Sequence, residues 1–439
     1  MKHKILLLSG LLLAMPVMLN AQEPESTFFL DNYAYSYRNS PALSDTTTSG
    51  VAAVGAGHIG AAISSDLGIK NVMFPRNGNL VTGLNKDVSA EEFLSGLKEN
   101  NHVVADIDWN LLSMTSRTDR RNRLVTFEIN MKSHTDLSVP KELLAILKTG
   151  NGAGDCYEFP HAGAKSSTWF EISGGTEFRP GQFVIAFRTK LLLGGADARL
   201  RLDEACLSMS DKYPSLAMKA SLLASKNTFS IDSDEKGYLD FGTFDYAGVT
   251  PAGYGAGLDL GVLWRPSPKW EVTTSVLDLG AIRWSADLYA QSAAYMGDGA
   301  DGYVGDMTEF KIADTPHEPY TEMIPFTLNA GFRYKPANIV TVGARALWKH
   351  AGDYNVARIT AGAGLNPCRP FGMGASVSYG TDGFRAAGSM CLRLAFVQFF
   401  LAAESSLTKF TYSHIPINPP GVTVSAGLSL AFKRKWNIG

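Results

Sequence analysis

The chain has 439 residues with 40 Lys and Arg against 42 Asp and Glu, so no strong net charge favours nucleic acid as a partner. Charged residues make up only 19% of the sequence and glycines number 43, which fits an ordinary soluble domain poorly. Beyond the N-terminus, no apolar run in the sequence approaches the ~20 residues that a membrane-spanning helix requires. This composition favours a large β-barrel.

The N-terminus has the features of a secretory signal peptide. Two lysines precede an apolar run over residues 5–19, and the small residue Ala21 follows shortly after. The run is shorter than the ~20 residues of a membrane span, so an uncleaved anchor is the weaker alternative. We expect residues 1–21 to be a signal peptide that is cleaved near Ala21. The mature chain is then expected in the outer membrane of a Gram-negative bacterium, in contact with its lipid.

Residues 22–50 form an irregular segment that is rich in aromatic residues from Phe28 onward. Such a segment ahead of a barrel favours a hatch or plug inside the lumen. Its aromatic content argues against the alternative, a disordered leader. The residues that we expect to line or plug the lumen are Phe28, Phe29, Tyr33, Tyr35, Tyr37, Asn39 and Pro41.

Alternation of apolar and polar residues marks the strands. It is clearest over residues 421–432, and over 103–111 and 125–132, where the polar positions carry charges. A membrane barrel uses about 9–11 such residues per crossing, with apolar side chains toward lipid and polar ones toward the lumen. The charged positions predict a wide, water-filled interior. A shift of parity after Leu111 predicts a β-bulge.

Two short helices are predicted between the strands. One lies within residues 84–100 and begins after Ser89, a residue type that caps helix N-termini. The other opens near Val139 and Pro140, since proline suits the first turn of a helix.

The remaining strands follow at short intervals. They are predicted at 168–178, 182–193, 198–209, 216–229, 254–264, 270–279, 326–334, 340–348, 357–365, 372–379, 384–394 and 397–404. With a weak strand over 51–65 the candidates number about sixteen, but a closed bacterial barrel needs an even count, and we expect about 14 within a range of roughly 12–16. The predicted fold is all-β, a closed antiparallel transmembrane barrel over residues 51–433 with a periplasmic tail over 434–439.

The connections and aromatic residues give the barrel an orientation. Short connections such as 366–370 alternate with longer ones such as 350–355 and 408–420, and 380–383 is a tight exception. Because barrels of this kind have short periplasmic turns, the short connections are assigned to the periplasm. Trp264 and Trp270 flank the turn 266–269, as an interfacial aromatic girdle requires.

Several motifs have a structural and a functional interpretation. Residues 55–60, GAGHIG, match a dinucleotide-binding pattern, but no acid lies about 20 residues on and small residues in a strand explain them better. Asp298, Asp301 and Asp306 could bind a hard cation, although a solvated outer loop is the simpler interpretation. Asp278 could contact a ligand, or instead hold a turn or pair with Arg283. The sequence predicts no metal, cofactor or catalytic residue.

The four cysteines are expected to be thiols rather than disulfides. The inferred hairpin register places Cys391 opposite about Gly372, so that Cys368 lies several residues further along the strand. That separation exceeds the ~7 Å between Cα atoms that a disulfide allows.

Longer stretches resemble a known family. They are Asn39-Ser40-Pro41-Ala42, the FEINMKS…LSVPKELLAILKTGN run, GAGLDLGVLW and SVLDLGAIRW. Together they resemble an uncharacterised Bacteroidota outer-membrane barrel family, a domain of unknown function, over roughly residues 40–432. That family is similar in outline to the long-chain fatty-acid transporter barrels and to barrel proteins of type IX secretion. The resemblance implies a barrel of commonly fourteen strands with an Asn-Pro-Ala motif in its hatch, here interrupted by Ser40.

Passive uptake or binding of a small hydrophobic solute is the predicted function, through a lumen partly closed by the N-terminal segment. The predicted mechanism is a cavity with apolar and aromatic walls that opens when the plug moves. The alternative is a barrel that does not transport but binds a protein partner, or assists secretion, through the outer loop 283–322. A barrel hydrolase is a third interpretation, although no nucleophile and base stand out.

Overall fold

The computed structural model describes most of the chain after residue 22. The described ranges are 23–44, 48–76, 79–118, 123–149, 155–159, 161–209, 214–225, 229–240, 243, 245–246, 250–296, 310–313, 317–368, 370–407 and 421–433. The predicted signal peptide, residues 1–21, and the predicted tail 434–439 lie outside these residues, as do Asp298, Asp301 and Asp306.

Fourteen antiparallel strands form a closed barrel. They are β1 (Thr48–Val54 and Ile59–Ser65), β2 (Asn100–Thr118), β3 (Arg123–Pro140), β4 (Gly163–Phe178), β5 (Phe183–Met209), β6 (Gly253–Ser267), β7 (Trp270–Trp284), β8 (Tyr320–Met323 and Phe326–Ala337), β9 (Val340–Ala351), β10 (Tyr354–Cys368), β11 (Phe371–Gly380), β12 (Gly383–Leu394), β13 (Val397–Ser406) and β14 (Gly421–Lys433). Each strand pairs with its two neighbours, and β14 pairs with β1. The predicted barrel and its strand number are confirmed.

The barrel closes where its first strand, β1, pairs with its last strand, β14, and β1 consists of two segments. Both segments of β1 pair with β14 on one side and with β2 on the other. Between them, Gly55 adopts a positive φ of 70°, which glycine tolerates without strain. Two backbone bonds keep the wall continuous there, from Gly55 N to the Leu111 oxygen at 2.8 Å and from Leu428 N to the Ala56 oxygen at 2.7 Å. The glycine pattern at 55–60 therefore forms a break within a strand, and a strand follows it.

Two differences reduce the sixteen candidate strands to fourteen. The predicted strands 182–193 and 198–209 are one continuous strand, β5. The predicted strand 216–229 corresponds to Pro214–Ser225, which pairs with the outer half of β5 and with Leu288–Met296. From Gly194 to Phe183, β5 pairs with β6 instead. The outer half of β5 and Pro214–Ser225 therefore form a hairpin that projects beyond the barrel rim. The region 283–322 is thus not simply a polar loop, since it includes Leu288–Met296 and the first segment of β8.

The remaining described elements are short. The strands are Met73–Arg76, Asn79–Thr82, Asp155–Glu158, Phe229–Ser230, Asp245–Tyr246 and Lys311–Ile312, and the α-helices are α1 (Ile69–Val72), α2 (Ala90–Ser95) and α3 (Lys141–Thr149). Ser89 caps α2 by accepting a hydrogen bond from Glu92 N at 3.1 Å, as predicted. Helix α3 directly follows Pro140, and the predicted bulge appears as a register shift between Asn110 and Leu112. No described helix has the length and apolar character to span a membrane.

The two faces of the wall differ as the alternation predicts. On β14, Val424 and Leu428 face outward with 39% and 50% of their surface exposed, whereas Ser425 faces inward and is fully buried. Trp264 and Trp270 lie exposed beside their turn near one rim. At that rim β6–β7, β8–β9 and β12–β13 are joined by only two residues each, whereas the long connections 285–319 and 407–420 lie at the other rim. The prediction assigns the rim with the short connections to the periplasm, and we therefore call it the periplasmic rim. The predicted long connection 350–355 is instead a tight outer turn between β9 and β10.

The prediction that the four cysteines are thiols can be compared with the structure at two positions, Cys368 and Cys391. Cys391 lies opposite Gly372, as expected, and is a buried free thiol, while Cys368 is an exposed one. Cys156 and Cys206 are opposite each other in strand register, but their side chains lie outside the described part of the structure.

The outward face gives a test of membrane insertion. Val377 and Leu407 are equally exposed, at 58%, but Val377 lies within β11 whereas Leu407 lies just beyond the outer end of β13. We expect V377R to lower the free energy of unfolding in lipid vesicles by about 2–4 kcal/mol, and L407R by at most about 1 kcal/mol, because the cost of a lipid-facing Arg depends on depth. Equal costs measured by urea titration would contradict a bilayer around this face.

Candidate functional site

Residues 23–44 lie inside the barrel and are called the plug segment after their predicted role, which stays a prediction. The segment contains two 3₁₀ helices, Glu25–Phe29 and Ser36–Arg38, and nearly all of its side chains are buried. It enters from the periplasmic side, because Thr48 begins β1 at that rim opposite Lys433. The segment therefore occupies part of the interior that the charged strand positions predicted to be water-filled.

Arg38 is the centre of the contact between plug segment and wall. Its guanidinium donates to Asn130 at 2.7 Å and lies 3.1 Å from the Asp108 carboxylate and 3.0 Å from the Glu128 carboxylate. Glu128 also accepts a hydrogen bond from Tyr37 at 2.9 Å. Although burial alone would lower it, Asp108 and Glu128 hold the pKa of Arg38 well above its ordinary value. Arg38 therefore stays charged and compensates two wall carboxylates.

A second contact joins Glu23 to the break in β1. The break turns His58 into the lumen, where its Nε2 lies 2.6 Å from Glu23, and Tyr33 donates to the other Glu23 oxygen at 2.9 Å. His58 Nδ1 lies 3.2 Å from the Arg38 guanidinium, which can only donate, so Nδ1 accepts that hydrogen bond. Burial would raise the pKa of Glu23, but His58 and Arg38 outweigh it and lower that pKa.

Glu25 makes a third contact, with the opposite wall. Its backbone N donates to Glu404 at 3.0 Å, and its carboxylate lies 3.3 Å from Arg345 and 3.7 Å from Arg358. Burial and the nearby Glu404 raise the pKa of Glu25 despite Arg345. The plug segment thus contributes charges of both signs, each opposite a complementary group on the wall.

The predicted aromatic residues all lie within this segment and are packed. Phe28 and Phe29 meet edge to face, and the Arg345 guanidinium lies 5.4 Å above the Phe28 ring. Phe29 fits against Gly362 and Gly364 of β10, where a Cβ atom would collide with it. Tyr33, Tyr35 and Tyr37 pack in turn beside Phe400 and Val51. Burial raises the pKa of Tyr35 to about 12.

Asn39, Ser40 and Pro41 fix the segment to the other side of the lumen. Asn39 donates to Thr27 at 2.9 Å and accepts from Arg345 at 3.0 Å. Ser40, which interrupts the Asn-Pro-Ala pattern, lies 3.2 Å from Thr273 on β7 through its hydroxyl. Pro41 lies against Gly261 of β6, where an added Cβ atom would come within 3.0 Å of the proline ring.

Asp278 differs from its predicted setting. It lies within β7 rather than at a strand end, with a positive φ of 60°, and its partners are Lys132 at 2.8 Å and Lys190 at 2.5 Å rather than Arg283. Its backbone N donates to Asp259 at 2.6 Å, at a register shift between β6 and β7. Its carboxylate therefore compensates two wall lysines. A role in ligand binding stays a prediction.

Three cavities follow one another along the axis. The central cavity is about 90 Å³ and is lined mainly by paired charges, including Arg38 and Asp278. It holds fewer than about ten water molecules. The outer cavity is about 300 Å³ and the periplasmic cavity about 520 Å³. The predicted wall of mainly apolar and aromatic side chains is not found in the central cavity, where Trp169, Leu277 and Pro325 stand among a majority of charged and polar residues.

Sequence reasoning missed the charged partners. Arg38, His58 and Arg345 were not singled out, although Glu128 and Lys132 were recognised as inward-facing charges on β3. One signal could have indicated Arg38. It is an arginine within an aromatic segment, and the strands of the barrel that follow carry carboxylates on their polar face.

A family model describes most of this chain. The model of a family of unknown function, DUF5723, matches residues 41–404. The chain belongs to this family. None of the curated proteins compared with the chain matches it. The predicted relation to Bacteroidota proteins and to type IX secretion stays a prediction.

Several solved structures are similar to this family member. The Pseudomonas putida toluene transporter TodX has a TM-score of 0.42 and 7% identity, over 94% of this chain and 95% of that one. A Pseudomonas aeruginosa FadL homologue has a TM-score of 0.47 and 10% identity, over 93% and 96%. The CymD monoaromatic hydrocarbon channel has a TM-score of 0.45 and 10% identity, over 95% and 98%. These likenesses concern the barrel fold and say nothing about a solute for this chain.

Removing Arg38 tests whether the plug segment compensates the wall. We expect R38A to lower the free energy of unfolding by about 3–5 kcal/mol, because it leaves Asp108 and Glu128 buried beside an unfilled position. The control is R76A, whose partner Glu92 lies on the surface, with an expected cost below about 1 kcal/mol. Urea titration in lipid vesicles measures both, and a cost for R38A as small as the control would refute the role of Arg38.

Proposed function

We propose that this protein is a gated passive channel of the outer membrane for a small hydrophobic solute. One observation carries the proposal: a segment of the chain fills the lumen between two larger cavities. In this arrangement the central cavity is about 90 Å³, well below the size of a small-molecule site. Passage therefore requires the plug segment to move.

The contacts of the plug segment suit a movable element. The segment is joined to β1 through the residues that follow Ser44. Beside its packed aromatic residues, it is held by ion pairs and hydrogen bonds, such as those of Arg38 and Glu25. Water that enters an opened lumen would solvate these groups again, so separation costs less than it would in a dry core.

The outer cavity supports a small solute with an apolar part. Its walls include the apolar side chains Ala162, Ala164, Leu200 and Ala351, with charged groups such as Arg201 among them. A volume of about 300 Å³ is at the lower end of the range for small-molecule sites. A solute bound there would next meet the aromatic residues of the plug segment once that segment moves.

A reversible crosslink tests the gate. The Ser40 and Thr273 hydroxyls lie 3.2 Å apart, so S40C/T273C places two thiols at bonding distance. Oxidised protein in vesicles that contain lipopolysaccharide should admit the apolar dye N-phenylnaphthylamine at least tenfold more slowly than reduced protein. The single variants S40C and T273C should not respond to oxidation. Equal rates for the oxidised and reduced double variant would contradict gating by residues 23–44, and faster entry of glucose than of the dye would contradict the hydrophobic solute.

The projecting hairpin favours one alternative, a surface for a protein partner. Pro214–Ser225 and Leu288–Met296 extend the sheet of β5 beyond the barrel and present it outside the cell. In the test variant, short linkers replace Pro214–Ser225 and Leu288–Met296, and the barrel strands β6 and β7 are kept. This variant should no longer capture an exported protein but should still admit the dye. Unchanged capture would reject this alternative.

A further inference from the structure

The periplasmic cavity is walled jointly by the plug segment and the barrel. Its volume is about 520 Å³, the largest of the three. Asn32 and Ser36 line it from the plug segment, and Arg333, Lys335 and Asn366 line it from β8 and β10. A molecule in this cavity therefore touches the movable and the fixed part of the protein at once.

Three polar side chains of this cavity have no hydrogen-bond partner among the described residues. They are Asn32, Ser36 and Asn366, and the first two are only 3% and 6% exposed. Buried amide and hydroxyl groups are nearly always paired in proteins, since leaving them unpaired is costly. The amide oxygens of Asn32 and Asn366 both approach Gly372, where any side chain would collide with them. The two amides thus form one unpaired cluster in the wall.

The charges of the cavity favour an anion. Arg265, Arg333 and Lys335 share two carboxylates: Lys335 lies 3.0 Å from Asp31, and Arg265 lies 3.0 Å from Glu271. Arg333 contacts both acids. Three cations against two carboxylates leave an excess of one positive charge, near the unpaired amides.

We propose that the periplasmic cavity binds a small hydroxylated organic anion. Its carboxylate lies beside Lys335 and Arg333, and its hydroxyl groups pair with the side chains of Asn32, Ser36 and Asn366. Primary amides suit hydroxyl groups because each amide offers two donors and an acceptor. Few apolar side chains line the cavity, which makes a purely hydrophobic ligand a poor fit.

Occupancy of this site stabilises the closed position of the plug segment. The ligand bridges the segment to β8 and β10 and binds less well once the segment has moved, so it shifts the population toward the closed state. This consequence rests on the gating proposed above, whereas the binding site itself does not.

Calorimetric titration of the full-length protein in detergent tests the site. The probes are gluconate, which has both charge and hydroxyl groups, glucose, which lacks the charge, and hexanoate, which lacks the hydroxyl groups. Gluconate should bind at least tenfold more tightly than either. The variant N32A/N366A should weaken gluconate at least tenfold without changing the melting temperature, because neither side chain hydrogen-bonds within the described chain.

Two controls separate the possible outcomes. N79A, on an exposed strand between β1 and β2, should leave gluconate affinity unchanged. K335Q should weaken gluconate and leave glucose unaffected. Equal binding of the three probes, or unchanged affinity in N32A/N366A, overturns the site. A third outcome is that gluconate binds but does not slow dye entry through reduced S40C/T273C. This result would support the binding site and would contradict its effect on the plug segment.

Discussion

Compensation of inward-facing charge is the constraint on which this structure depends. Alternation along β3 turns Glu128, Asn130 and Lys132 into the lumen, and equivalent positions on β4, β5 and β9 add Glu171, Arg188 and Arg345. In a water-filled pore these groups would be solvated. Here the plug segment covers them, so each needs a partner to offset the loss of hydration.

The plug segment supplies some of those partners in one short stretch, whereas others, such as Asp278 for Lys132, lie on the wall itself. Glu23 and Arg38 meet one side of the wall, and Glu25 meets the opposite side. The intervening aromatic residues fill the space between the ion pairs. The same residues therefore determine both how the lumen is closed and which contacts must break when it opens.

The backbone of the wall also determines how the plug segment fits. A side chain at Gly362 or Gly364 would collide with Phe29, and one at Gly261 would crowd Pro41. The break in β1 brings His58 inside while Gly55 adopts the unusual backbone angle. Glycines at these positions thus allow the wall and the segment it encloses to approach closely.

The barrel could be predicted from the sequence because the signal is local. Period-two alternation fixes both faces of β14, and Ser89 and Pro140 mark the helices by their own chemistry. The count failed where local signals mislead: Gly194 and Gly195 resemble a turn but lie within β5. The site was predicted in part, because aromatic composition points to the plug segment. Which charges meet depends on strands hundreds of residues apart, as with Glu25 and Glu404, and no spacing in one sequence encodes that.

The seam between β1 and β14 has a consequence for biogenesis. The first and last barrel strands are partners, so the cylinder stays incomplete until the C-terminal strand is available. Residues 23–44 precede the first strand yet finish enclosed by all fourteen. During assembly they must either rest in the nascent sheet before it shuts or thread in afterwards through the periplasmic mouth. In either order, maturation of this protein includes a docking step that a simple empty cylinder does not need.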